Sequence, residues 1–420
     1  MHTPSEKISN TLLVVSFCGL ALFAPFSISG ANVSIVLGFL GIVVSVFAIP
    51  SARARLARVT KDPMLVACVV LVVSALPSVF ISENIQRARN DWESYWLLSI
   101  YFFVAYGLWS SRIRRTVYWI LFGSATLSCL VALTQYRGGL DILFVHIREA
   151  RRPASTLFIM TFAGILYQLI TVNFAVLFHR GRFSRLESLL TGGLVIQVIG
   201  LFITLTRGAW IALASGIAAA TLLLKKKTMF VVAAGLLALV VAFAAGDPDI
   251  RAKIVSIPRS IHGPTDRNVS TRFVLWDVSW HMFKSHPILG VGMGDFTTEA
   301  EKLIGDRYVK TAVDSHNIYL QVLATRGLVG FIPFVYFWVI LLRSLRRARS
   351  AIAARTMTGS QRFGLHFVDG VTAATVAVLV GALSENNIDD SEVFTAFMLL
   401  VGMAKNFALC PDADDAVLKS

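Results

Sequence analysis

Hydrophobic residues run along this chain in continuous blocks of roughly 16 to 25, long enough for a helix to cross a bilayer. Twelve blocks predict spans at 11–28, 33–50, 64–81, 94–110, 117–135, 154–178, 188–206, 209–224, 228–245, 318–342, 365–384 and 393–409. No small-residue cleavage site follows the run Thr11 to Ile28 and a second apolar run begins almost at once, so the first block is read as an uncleaved span. The polar stretches between blocks are short except for 246–317, which is too long to be a simple connector. The chain therefore divides into spans one to nine (1–245), a large loop (246–317), and spans ten to twelve with a tail (318–420). No internal repeat is visible, and only the second half carries a large loop.

Inside that loop, Phe273, Trp276, Trp280 and Phe283 recur at helical spacing. They predict an amphipathic helix from Ser270 to Ser285, capped by Ser270 and lying at a membrane interface. A second short helix is expected over Phe296 to Leu303. Between them, Gly290-Val291-Gly292-Met293-Gly294 reads as a turn where backbone can approach a ligand or another helix. It lacks the lysine and the strand of a phosphate-binding P-loop.

Charge orients the bundle. Alternate loops are basic: Arg53, Arg55, Arg58 and Lys61; Arg112, Arg114 and Arg115; Arg180, Arg182 and Arg185; Lys225 to Lys227; and the segment Arg343 to Arg362. With twelve spans all of these fall on one face, and the positive-inside rule makes that face cytoplasmic with both termini inside. The 246–317 loop then lies on the opposite side.

Composition agrees. Hydrophobic residues make up 55% of the chain and mean hydropathy is +0.68. The net charge of +14 would suggest nucleic acid in a soluble protein; here much of it sits in short orienting loops, so nucleic-acid binding is a poor reading. Cys18, Cys68, Cys129 and Cys410 lie in or beside apolar runs without metal-ligand spacing and read as small buried residues.

Basic residues on the outer face run against the orienting bias and need another cause. Arg148, Arg151 and Arg152, read as helical, would share one face and suit a phosphate or diphosphate. Arg207 lies in the tight turn Thr206-Arg207-Gly208-Ala209-Trp210, beside a helix N-terminus that also favours anions. Arg272 opens the amphipathic helix, either paired with Asp277 or placed for a lipid-phosphate contact. His316 is read in the first turn of span ten behind an Asp314 or Ser315 cap, where it can take or give a proton near neutral pH. Asn317 beside it is a candidate to orient the histidine or a sugar hydroxyl, and the Glu385 to Glu392 turn, with Asp389, is a candidate to supply a carboxylate. His262, His281 and His286 share the loop without comparable context, and no serine-nucleophile or zinc-protease pattern accompanies His316.

Taken in order, three motifs resemble one family. His316-Asn317, nine residues, then Gly327-Leu328-Val329-Gly330 resembles the histidine motif of bacterial O-antigen ligases. Thr206 to Trp210 resembles their outer-turn arginine motif, and Arg272 through Trp276 to Pro287 and Gly290–Gly294 resembles their large-loop segment. The resemblance implies an all-α polytopic membrane protein of about twelve spans with one large periplasmic loop, and a C-type glycosyltransferase-like fold in the bacterial inner membrane. It implies transfer of O-antigen from undecaprenyl diphosphate to the lipid A–core, with no cofactor, neither ATP nor a metal. Arg207 and Arg272 would then stabilise the departing diphosphate, with Arg148, Arg151 and Arg152 helping to hold the donor. His316 would act as base, its pKa lowered by neighbouring arginines, or would bond the diphosphate as imidazolium.

Three rivals stay open: an O-antigen polymerase and a protein O-oligosaccharyltransferase, both of the same superfamily, and a twelve-span transporter. Against the transporter stand the lone one-sided loop, charges at span ends, and polar residues such as Gln168, Asn173 and Gln197 scattered through the spans.

Overall fold

The computed structural model describes residues 4–48, 57–107, 111–136, 154–177, 185–225, 267–304, 314–355, 359–386 and 388–409, with short strands at 140–142 and 145–147 and a few isolated positions. The described helices are α1 (Pro4–Phe23), α2 (Ile28–Ala48), α3 (Pro63–Phe80), α4 (Ile85–Glu93), α5 (Ser99–Gly107), α6 (Ser111–Tyr136), α7 (Ile159–Leu177), α8 (Arg185–Ile203) and α9 (Arg207–Leu224). After these come α10 (Arg267–Ser285), α11 (Phe296–Ile304), α12 (Ile318–Ala353), α13 (Gly359–Gly381) and α14 (Ser391–Leu409). Strands β1 (Leu140–Ile142) and β2 (Val145–Ile147) form an antiparallel hairpin that apolar periodicity did not signal.

Eight helices among the described residues are long and apolar enough to cross a membrane: α2, α3, α6, α7, α9, α12, α13 and α14. Two more apolar helices, at Ile8–Phe23 and Ser188–Ile203, are shorter. The run expected as a span at 94–110 is a 3₁₀ turn, Ser94–Leu98, leading into α5. The span expected at 228–245 lies almost wholly outside the described residues, as do Arg148, Arg151 and Arg152.

Helix α7 is buried at every position from Thr161 to Leu177. A helix apolar on all sides belongs at the centre of a bundle, and α7 packs against α8, α9, α13 and α14. Two of the polar residues that looked scattered along the spans, Asn173 and Gln197, meet in space. Asn173 donates to Gln197 Oε1 at 2.8 Å and accepts from the Tyr118 hydroxyl at 3.0 Å, while Gln197 donates to Thr126 Oγ1 at 2.9 Å. This satisfied network ties α6, α7 and α8 together where no water competes.

Helix α12 is broken. Gly327 has φ 58° and ψ −159°, a conformation essentially restricted to glycine. The backbone groups freed there are taken by the glycine-rich loop: Val291 and Gly292 N–H donate to Ala324 and Thr325 carbonyls, and Leu328 and Val329 N–H donate to Pro287 and Ile288 carbonyls. Non-helical backbone is tolerated in a spanning helix when other protein satisfies it. The turn expected at Gly290–Gly294 therefore approaches another helix.

Helix α10 begins at Arg267, three residues before its expected cap, so Ser270 lies inside it and Arg272 lies in its second turn rather than at its opening. Leu275, Val278 and Met282 pack on Phe296 and Ala300 of α11 and on Ala324 of α12, leaving Phe273 and Trp280 exposed. Asp295, just before α11, accepts from Ser82 Oγ and from the Glu83 and Asn84 N–H groups, which fastens α11 to the loop between α3 and α4.

Candidate functional site

The N-terminus of α12 is locked before any chemistry is placed on it. The cap is Asn317, not Asp314 or Ser315: its Oδ1 accepts from Tyr319 and Leu320 N–H at 3.1 and 3.2 Å. Its Nδ2 donates to the Leu383 carbonyl at 3.2 Å, and Ile318 N–H donates to the Ala382 carbonyl at 3.1 Å. Ser315 N–H donates to Gln321 Oε1 at 2.9 Å, which ties the chain ahead of the cap to the first turn of the helix. The side chain expected to touch histidine or sugar is thus committed to joining the start of α12 to the end of α13. Replacing Asn317 with Ala should cost about 1 kcal/mol of helix capping and lower the thermal midpoint of the detergent-purified protein; a midpoint equal to wild type would contradict the cap.

His316 precedes the cap with φ 49°, left-handed backbone uncommon outside glycine. Its N–H donates to Asp314 Oδ1 at 2.7 Å, which holds that turn. The imidazole is 36% exposed, with Nδ1 3.5 Å from Asp314 Oδ1 and 3.6 Å from Glu385 Oε2. The carboxylates face one ring nitrogen and leave Nε2 on the opposite edge.

Glu385, four residues beyond α13, is the centre of the site. Its side chain is 6% exposed and forms an ion pair through Oε1 with Arg272 Nη2. Arg272 therefore pairs with Glu385 rather than Asp277. Helix α9 arrives alongside: a Cβ built on Gly208 would lie 2.3 Å from Ser384 Oγ and 3.8 Å from Glu385 Cγ. Arg207, the first residue of α9 after the Thr206 cap, is thereby brought to the same end of the bundle.

The expected effect of arginines on His316 is overturned. The Glu385 carboxylate, 3.6 Å from Nδ1, raises the pKa above the ordinary value of 6.5, and the Asp314 charge adds to this. Partial burial and the Arg272 charge pull downward and are outweighed. The motifs marked the arginines, whereas the carboxylate was one candidate among several in the Glu385 to Glu392 turn, sixty-nine positions from His316.

Asp389 is not beside His316. It sits 4.0 Å from Arg326 Nη2 and accepts from Asn386 Nδ2 at 2.9 Å. The next residue, Asp390, accepts from Thr161 Oγ1 at 2.5 Å and from Glu392 and Val393 N–H, so the turn carrying Glu385 is anchored to α7 and caps α14. Arg326 went unmarked in the sequence reading, although an arginine nine residues into an apolar span is itself a signal of function. Among the described residues no group of three His, Cys, Asp or Glu stands ready to hold a metal ion.

No curated protein matches the chain. Arg207, Arg272, His316 and the Gly327 break all fall within one family domain, while Glu385 and the turn behind it lie beyond its end. Residues 192–335, about a third of the chain, match the family model described as O-antigen ligase.

Proposed function

We propose that the protein is an O-antigen ligase of the bacterial inner membrane, moving a finished glycan from undecaprenyl diphosphate to a sugar hydroxyl of the lipid A–core. The observation that carries this is Glu385, which stands between His316 and Arg272 at one end of the bundle within ion-pairing distance of both. The basic loops support a periplasmic position for that end, with both termini cytoplasmic. The donor's diphosphate is a competent leaving group, so the reaction needs neither ATP nor a metal.

In this mechanism Glu385 holds the His316 ring through Nδ1 and supports the charge it acquires. Nε2 removes the acceptor hydroxyl proton as the acceptor oxygen attacks the anomeric carbon. The bond from that carbon to the diphosphate oxygen breaks, and its electron pair leaves with the lipid diphosphate. Arg207 and Arg272 stabilise that charge where little water competes, and Arg148, Arg151 and Arg152 help to hold the donor before transfer. Raised basicity at His316 suits it to this proton better than the lowered pKa expected from arginines alone.

A single displacement inverts the anomeric centre. With purified enzyme, a lipid-linked O-antigen of known anomeric configuration and lipid A–core, NMR of the new linkage should show the opposite configuration. Retention would contradict direct attack. Supplying lipid A–core and a second lipid-linked glycan together separates the activities: the ligase elongates the core, whereas lengthened lipid-linked glycan with untouched core identifies a polymerase.

A further inference from the structure

Arg326 stands in α12 one residue before the Gly327 break, and only 6% of it is exposed. A cation in that place is costly unless it has partners. The free space beside it is about 30 Å³, room for a water molecule or two and for no larger ligand. The partners are instead two other parts of the chain. Nη1 donates to the hydroxyl of Tyr95 in the 3₁₀ turn at 2.5 Å, with the guanidinium 5.6 Å from the Tyr95 ring centre. Nη2 lies 4.0 Å from Asp389 Oδ1, in the chain between α13 and α14.

Asp389 faces two ways. While Oδ1 is turned to Arg326, Oδ2 accepts from Asn386 Nδ2 at 2.9 Å, and the Asp389 N–H donates to the Asn386 carbonyl at 3.1 Å. Asn386 directly follows Glu385. The chain ahead of Glu385 is held separately, by Asn317 Nδ2 on the Leu383 carbonyl and by Ile318 N–H on the Ala382 carbonyl. Glu385 is thus fastened from both sides, and both fastenings come from the stretch of α12 between His316 and the break. The bond from Thr161 to Asp390 ties the same turn to α7 instead, so it does not fix the distance from Glu385 to His316.

We propose that Arg326 is a positioning residue: through Asp389 and Asn386 it holds Glu385 at its distance from His316 and Arg272. Its effect on rate rests on the transfer reading above, whereas the geometry it sets can be measured without turnover. The sign of the change identifies the cause. The charged groups facing His316 are Asp314, Glu385 and Arg272. Loss of a cation elsewhere would by itself raise the pKa of a histidine. Loss of the brace lets Glu385 move away, and the largest influence raising the His316 pKa goes with it. Charge removal and brace removal therefore act in opposite directions.

The test measures the His316 pKa in the full-length, detergent-purified protein. Diethylpyrocarbonate modifies the neutral imidazole, so the pH dependence of carbethoxylation, read by mass spectrometry on the His316 peptide, gives the midpoint; the His286 peptide is the internal control. In Arg326→Met the His316 midpoint should fall by about one unit, the scale of a weakened contact with one opposite charge, while His286 stays in place. Tyr95→Phe alters no charge and should shift His316 the same way by less. Arg326→Lys, which retains the charge, should lie nearer to wild type than Arg326→Met. With Glu385→Gln already present, Arg326→Met should produce no further fall. In the transfer assay Arg326→Met should lower kcat by about tenfold to a hundredfold, as misplacement on the order of 1 Å does, with little change in KM. An unchanged or raised His316 midpoint in folded Arg326→Met would overturn the proposal; if that variant does not fold, an unchanged midpoint in Tyr95→Phe would do so. A lowered midpoint in a protein whose wild type transfers no glycan would uphold the brace and count against the transfer reading alone.

Discussion

Glu385→Gln should lower the transfer rate by about a hundredfold or more and move the acid limb of the pH–rate profile to lower pH. The sign follows from the environment of His316. The Glu385 carboxylate is the largest influence holding the histidine above 6.5. A base must be neutral, so the wild-type rate should rise as pH increases through that raised pKa and level off above it. Removing the carboxylate charge lowers the pKa, carrying the limb with it, while the unsupported imidazolium makes proton removal harder. Arg272→Ala should move the limb the other way, because the Arg272 charge pulls the His316 pKa down. Opposite displacements from two variants of one ion pair are difficult to obtain from general loss of structure. A rate that falls through the same pH range would instead make the imidazolium the active form, as expected of a histidine that binds diphosphate.

The second large effect is structural. Gly290→Ala should place a methyl group 2.3 Å from the Thr325 carbonyl carbon and 2.4 Å from the Arg326 nitrogen. Both are backbone atoms and cannot move aside cheaply. Gly327→Ala meets the Ile288 carbonyl oxygen at 2.3 Å and is strained by its positive φ as well. Either substitution should cost about 2–6 kcal/mol, combining overpacking with backbone strain, and should separate the glycine-rich loop from the break in α12. Size-exclusion profiles and thermal midpoints of the detergent-purified protein read this directly. Gly192→Ala, with nothing within 4 Å of the added methyl group, is the control and should be tolerated. Midpoints for Gly290→Ala and Gly327→Ala matching that control would show that the loop does not satisfy the break.

Eight of the twelve expected spans coincide with helices long and apolar enough to cross a membrane, because apolar length is a local property. Three of the site's residues, Arg207, Arg272 and His316, were legible because each sits in a short motif or against the charge bias. Three things were not, and each depends on distant chain. Glu385 appeared only as one carboxylate in an acidic turn, since nothing local reveals that Ala382 and Leu383 bond to the start of α12. The break in α12 hides within a continuous apolar run, where Arg326-Gly327 gives no warning that the loop at Pro287–Gly292 supplies the missing hydrogen bonds. Asn317 lies beside His316 in sequence, yet its polar atoms serve the helix. The histidine's pKa was misjudged for the same reason that Glu385 was not singled out within its turn: arginines were visible by motif, and the contact of this one carboxylate with His316 was visible only in three dimensions.

The central claim is that His316, held by Glu385, catalyses transfer from a lipid-linked donor. The direct measurement is transfer in liposomes by wild type, His316→Ala and His286→Ala, using purified lipid-linked O-antigen and lipid A–core and following the lipopolysaccharide ladder on a gel. His286 is exposed at the end of α10 and serves as control. The account predicts a ladder from wild type and His286→Ala without ATP, and a loss of about 10² to 10⁴ in His316→Ala with a normal size-exclusion profile. A ladder from His316→Ala at the wild-type rate would contradict it.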